Sequence, residues 1–153
     1  MLILAEKPHI EPFFKDDWRS WDGLNWVFID DWVGWYDLDD FNFVMDIKRG
    51  WVTDFGSIPA WYRFRINQMG RGIIGFIPHD GGYATEFPLT TQENARYDWD
   101  NVLVNSLEWV DFGFSRRNAC YTAVRMGGGF RWRKNTPESI THAHNFITIT
   151  LMN

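Results

Sequence analysis

Apolar and polar residues alternate most cleanly over Phe41-Asn42-Phe43-Val44-Met45-Asp46-Ile47. Phe41, Phe43, Met45 and Ile47 fall on one face, which predicts a strand. Asn25 to Val33 is dense in Trp, Val, Phe and Ile, residues that suit extended chain, and predicts another. Gly34 and the clustered acids of residues 34–40 predict a turn between them, so the two segments form an antiparallel hairpin. Trp51 and Val52 predict a short third strand. Alternation of apolar residues with Thr over Phe146 to Met152 predicts a C-terminal strand. Residues 1–24, with Pro8, Pro12 and Gly23, read as irregular.

Helical spacing is clearest over Thr91 to Val110, where Ala95, Trp99, Val102, Leu103, Ser106 and Val110 share a face. Gly113 ends that segment. Ser115 then caps a helix from Arg116 to Met126, stopped by Gly127-Gly128-Gly129, and residues 130–139 read as a basic loop. Ser57 followed by Pro59 starts a short helix to about Phe64. Ile73 to Tyr83 is ambiguous. Pro78 in a first turn would put His79 and Asp80 at a helix N-terminus, whereas Gly81 and Gly82 weaken a helix by about 1 kcal/mol each. The expectation is an α+β fold in one domain, residues 1–153. It has N-terminal antiparallel strands, a bundle of about three helices and a C-terminal strand.

Composition alters this picture in a few places. Ten Trp and thirteen Phe exceed what a core of this size buries easily, so some should line a groove or an interface; the plainer alternative is core and rim. A net charge of −5 argues against a duplex nucleic-acid partner held through phosphates. Cys120 is the sole cysteine, which excludes an intrachain disulfide and a cysteine metal cage; it reads as core. The first residues turn charged too quickly for a signal peptide, and no apolar run approaches the ~18 residues of a membrane span.

Three polar patterns carry candidate chemistry. Asp54 sits where a strand should hand over to a helix, a place where free backbone N–H groups favour anionic ligands; alternatively, Asp54 or Ser57 simply caps the helix. His79 and Tyr83 are four residues apart and share a face on a helix, with Asp80 beside them. A His can serve as base or metal ligand near neutral pH, and a carboxylate can orient it or bind a cation. Asp100 lies at the edge of an apolar stripe, where an unpaired carboxylate is costly, and Arg96 four residues earlier is a candidate partner. Asp98 reads as solvated. Arg63, Arg65, Arg71, Arg116, Arg117, Arg125, Arg131, Arg133 and Lys134, with Phe130 and Trp132 interleaved, suit a phosphate or a stacked base, or form a solvated basic edge. His142 and His144 would face one side of a strand, without an evident third zinc ligand.

The blocks Gly50 to Pro59, His79 to Tyr83, Trp99-Asp100 and Ala123 to Gly128 together resemble domain-of-unknown-function family 1353, found mainly in bacteriophages and prophages. The likeness spans about residues 40–128. Gly56 stands where Ala is commoner, Trp99 where a small residue is usual, and the Gly81-Gly82 pair is atypical. A second, local likeness is to the paired helices of the phospholipase A group. It implies that His79 activates water, Asp80 holds calcium and Asp100 orients the imidazole. The phage resemblance implies residence in host cytoplasm or virion.

Two functions follow as expectations. The first is a small phage-encoded hydrolase of an ester or phosphodiester, acting on a nucleotide signal of host defence or on envelope material. His79, Asp100 and Asp80 are its catalytic candidates; Asp54, Ser57, Tyr83, Arg96 and Arg125 are candidates for substrate binding; Asp80 and Asp54 are candidates for a divalent cation. The second is a non-enzymatic phage protein, either a virion or tail part or a binder that sequesters a host molecule. The partner is then a small molecule or a phage or host protein.

Overall fold

A computed structural model describes residues 1–13, 25–54 and 70–152. The expected α+β class holds, with antiparallel strands first, helices next and a strand last. Among the described residues the strands are β1 (Leu2–Ala5), β2 (Ile10–Pro12), β3 (Trp26–Phe28), β4 (Trp32–Asp37), β5 (Asn42–Ile47), β6 (Val52–Thr53) and β7 (Ile147–Leu151). The helices are α1 (Ile73–Thr85), α2 (Ala95–Trp109), α3 (Phe114–Trp132) and α4 (Pro137–His144). One sheet runs β1-β4-β5-β7 and a smaller one β2-β3-β6, with antiparallel pairing throughout. None of the described helices is long and apolar enough to cross a membrane.

The expected hairpin is β4–β5, but its first strand begins later than the composition suggested. Residues 25–33 split into β3, which joins the small sheet, and the start of β4. The turn is tighter than residues 34–40: Leu38 and Phe41 exchange backbone hydrogen bonds. Gly34 is a strand residue. A Cβ there would fall 2.5 Å from the Trp32 ring and 2.7 Å from Tyr36, so the glycine lets two large rings flank it on one face. The N-terminal segment expected to be irregular contributes β1 and β2, and β7 forms where predicted.

The inner face of the larger sheet presents Ile3, Trp32, Tyr36, Phe43, Met45, Ile47 and Ile147 to the helices. Helix α1 settles the ambiguous segment. Pro78 lies inside it rather than in its first turn, so His79 and Asp80 are mid-helix. A proline at that position has no N–H for the Ile74 carbonyl, and the Tyr36 hydroxyl donates to that oxygen instead, at 2.7 Å. The sheet thus supplies the hydrogen bond that the helix lacks.

The glycines after His79-Asp80 have a packing role. A Cβ on Gly82 would fall 2.0 Å from the Trp99 indole, which is fully buried against Phe43. Gly82 and Trp99 therefore compensate each other: α1 gives up a side chain where α2 carries an indole. The helix expected over Thr91 to Val110 starts at Ala95, because Asp98 accepts from the Thr90 backbone N–H (3.1 Å) and hydroxyl (2.6 Å) and holds the preceding turn. Asp98 is buried, not solvated.

Helix α3 runs straight through the glycine triplet that was expected to stop it. The glycines are contact points: a Cβ on Gly128 would lie 2.5 Å from the Tyr83 hydroxyl. The basic loop expected over residues 130–139 is instead the end of α3 and the start of α4, which is opened by Thr136 and Ser139 in a reciprocal capping box with Pro137 in the first turn. That makes four described helices where about three were expected. His142 and His144 are exposed on this helix and not on a strand.

Candidate functional site

Three helices converge on one carboxylate. From α1, His79 Nε2 lies 3.0 Å from Oδ1 of Asp100 on α2. One turn further along α1, the Tyr83 hydroxyl donates to the same oxygen at 2.6 Å. From α3, Arg125 Nη1 donates to Oδ2 at 2.8 Å. The i, i+4 spacing on α1 sets the His79 and Tyr83 rings side by side, centroids 4.3 Å apart and tilted by 34°, so both reach one acid. His79 and Asp100 are 0% exposed.

Burial pushes the Asp100 carboxyl upward, but the hydrogen bonds from His79, Tyr83 and Arg125 outweigh it and hold the pKa below the ordinary value. An ionised Asp100 can only accept, so Nε2 of His79 carries a proton toward it. Burial, then the Asp100 charge, pushes the Tyr83 phenol well above its usual range, and it remains a donor. Arg96 does not pair with Asp100. Its Nε donates to the Tyr83 oxygen at 3.3 Å, and its Nη2 reaches the carbonyls of Val124 and Arg125 at 3.3 and 2.6 Å. It ties the middle of α3 to the site.

The other side of the imidazole differs. Nδ1 of His79 is buried and has no hydrogen-bond partner; the nearest carboxylate oxygen, Oδ1 of Asp80, is 4.0 Å away. Asp80 is itself held by the Thr53 hydroxyl, which donates to Oδ2 at 2.5 Å from β6. Asp80 forms part of a pocket of about 190 Å³ lined also by Asp54, Tyr83, Arg131, Trp51 and Asn25. Burial raises the Asp80 pKa, the Asp54 charge adds to the rise, and His79, Thr53 and Arg131 oppose it.

The structure thus gathers His79, Asp80, Tyr83, Asp100, Arg96 and Arg125 around one centre, with Asp54 lining the same pocket as Asp80. Ser57, like Arg63, Arg65 and the short helix expected after Ser57, lies outside the described residues. Asp54 and Asp80 both line this pocket, and carboxylate oxygens are the donor type that hard cations take. Among the described residues, no set of three or more His, Cys, Asp or Glu side chains gathers as metal ligands. Cys120 is buried, and burial pushes its thiol up to about 12, in keeping with a core residue.

Two residues of the site were not singled out from the sequence. Thr53 is buried and points to Asp80, on the opposite side of β6 from its neighbour Val52; strand alternation beside Asp54 was the available signal. Arg131 was grouped with the basic edge, yet it reaches the pocket because α3 continues through its glycines.

A family model described as "Protein of unknown function (DUF1353)" matches residues 34–124, from within β4 to within α3. No curated protein and no solved structure matches the chain.

Proposed function

We propose, from the premise that the chain belongs to the DUF1353 family, that it is a small hydrolase in which His79 is the general base. The observation that carries this reading is the asymmetry of the imidazole: Nε2 faces a buried carboxylate, while Nδ1 is buried without a partner, 4.0 Å from Asp80, which in turn lines the pocket. In such an arrangement Nδ1 takes a proton from water as the water attacks a carbonyl carbon or a phosphorus, Asp100 stabilises the imidazolium that forms, and the imidazolium returns the proton to the alkoxide that leaves as the C–O or P–O ester bond breaks. The local likeness to the phospholipase A helix pair assigns the same roles to His79 and Asp100.

Asp80 and Asp54 then hold the substrate side of the pocket, directly or through a divalent cation completed by carbonyl, water or substrate oxygens. Such a cation would polarise the scissile group. The substrate class is an ester or phosphodiester. In the phage setting that the resemblance implies, it is a nucleotide signal of host defence or envelope material; Arg131 at the pocket favours the nucleotide.

The test is turnover of chromogenic phosphodiesters and carboxyl esters with and without Ca²⁺ or Mg²⁺. His79→Gln keeps a donor toward Asp100 but has no titratable base. Its turnover should fall about 10²- to 10⁴-fold with the circular dichroism spectrum unchanged. Equal turnover by this variant removes His79 from the mechanism.

One observation favours the non-enzymatic reading: the imidazole is sealed, so a substrate reaches Nδ1 only if the contacts beside Asp80 open. In that reading the His79–Asp100 pair is a polar rivet joining α1, α2 and α3, and the protein works by binding. No turnover of any probe at any pH, with Asp100→Asn unfolding at lower temperature, selects it.

A further inference from the structure

The larger sheet has two unlike faces. Helices pack on the inner one. On the outer face the register sets Leu4, Trp35, Val44 and Thr150 in one row across four strands, with Leu2 on one side and Val33 on the other. Leu4 is 58% and Trp35 48% exposed, and a depression of about 230 Å³ lies between Leu2, Leu4, Trp35 and Asn42. An indole and two leucines exposed together mark an interaction surface rather than scattered surface apolars. The rim is acidic on balance: Asp37 and Asp46 lie on this face and Asp39 and Asp40 follow at the strand ends, against the N-terminal ammonium, 3.9 Å from Asp39, and Lys48 just beyond Asp46.

The opposite character appears on α3, which packs chiefly on α2. In a chain of net charge −5, residues 112–137 hold six cations and no Asp or Glu. Among the described residues Arg116, Arg133 and Lys134 form no ion pair. Met126 and Phe130, one turn apart, are 71% and 70% exposed in this basic surround, with Arg133 over the Phe130 ring at 5.6 Å.

Two copies stacked sheet face to sheet face would bring acidic rims together, which opposes association. The same rim meets opposite charge on α3. We propose that the outer sheet face docks the α3 face of a second copy, with Trp35 and Leu4 packing against Met126 and Phe130 inside matched acidic and basic rims. Such a contact is heterologous. It leaves one free face of each kind at the ends of a pair, so it propagates into a ring or a filament. It weakens as salt rises, because the rims are exposed.

Sedimentation velocity over a concentration series, at low and at high salt, tests this with two variants. Trp35→Lys breaks the sheet face and Phe130→Glu breaks the helix face; Leu4→Lys repeats the first elsewhere. All three positions are solvent-exposed, and urea unfolding confirms that each variant is folded. The expected result is salt-sensitive oligomers for the unaltered chain, monomers for each variant alone, and a 1:1 dimer when Trp35→Lys and Phe130→Glu are mixed, since one intact junction remains. A monomeric unaltered chain at every concentration overturns the proposal. So do oligomers that survive Phe130→Glu, or a mixture that stays monomeric.

Discussion

Asp80 and Asp100 flank the same imidazole, and they are opposites. Asp100 has three donors from two helices on its two oxygens, is fully enclosed, and stays ionised because those donors outweigh its burial. Asp80 borders a pocket, has Asp54 nearby, and is pushed toward its neutral form. The difference teaches that burial alone does not set a carboxylate's role. The surroundings do: an acid held by donors from two helices becomes structure and an orienting charge, and one that lines a cavity beside a second carboxylate is pushed toward its neutral form.

Removing the saturated acid should have the largest effect. Asp100→Ala leaves the Arg125, Tyr83 and His79 donors facing a hole, and breaking a buried charged pair costs about 3–5 kcal/mol. Urea unfolding measures it; a loss well below 1 kcal/mol would show that the three donors find water. Next comes the packing that seals this end. Gly82→Ala drives a Cβ into the Trp99 indole and should cost about 1–3 kcal/mol. Trp99→Ala in the same chain should remove that penalty, so the double variant loses less than the two single losses added; strict additivity would mean that Gly82 and Trp99 do not share the space.

The smallest effect belongs to the pocket acid and has a distinct sign. The folded pKa of Asp80 is raised, so its contribution to stability is fully present below the unfolded value and is lost as pH rises through the folded one. Asp80→Asn should therefore be stabilising at neutral pH, with the gain shrinking as pH falls from the raised folded value to the ordinary unfolded one. Asp100 runs the other way: its lowered pKa gives stability above the unfolded value that is lost as pH falls through the folded one. Unfolding midpoints of both Asn variants across pH would separate the two acids. Parallel curves would abolish the contrast drawn between them.

Much of this arrangement was legible in the chain. Strict alternation identified β5 and β7, because one face of each must be buried and the side-chain period of a strand is two. The four-residue spacing placed His79 and Tyr83 together, and the edge position of Asp100 marked it as an acid in need of partners. Local pattern failed where a distant residue met a local deficit. Pro78 and three consecutive glycines read as helix ends, yet Tyr36 completes the bond at Ile74, and the Tyr83 hydroxyl occupies the space beside Gly128.

By itself, then, the sequence determined the periodicities, and with them the α+β class, the hairpin and the residues that share a face. Those depend on near neighbours along the chain. Tertiary structure alone decided which donors reach Asp100, why Arg96 binds carbonyls on α3 instead, and that Thr53 and Arg131 join the pocket. Hydrogen bonds and close packing act over a few ångströms in space, between residues that the chain keeps far apart.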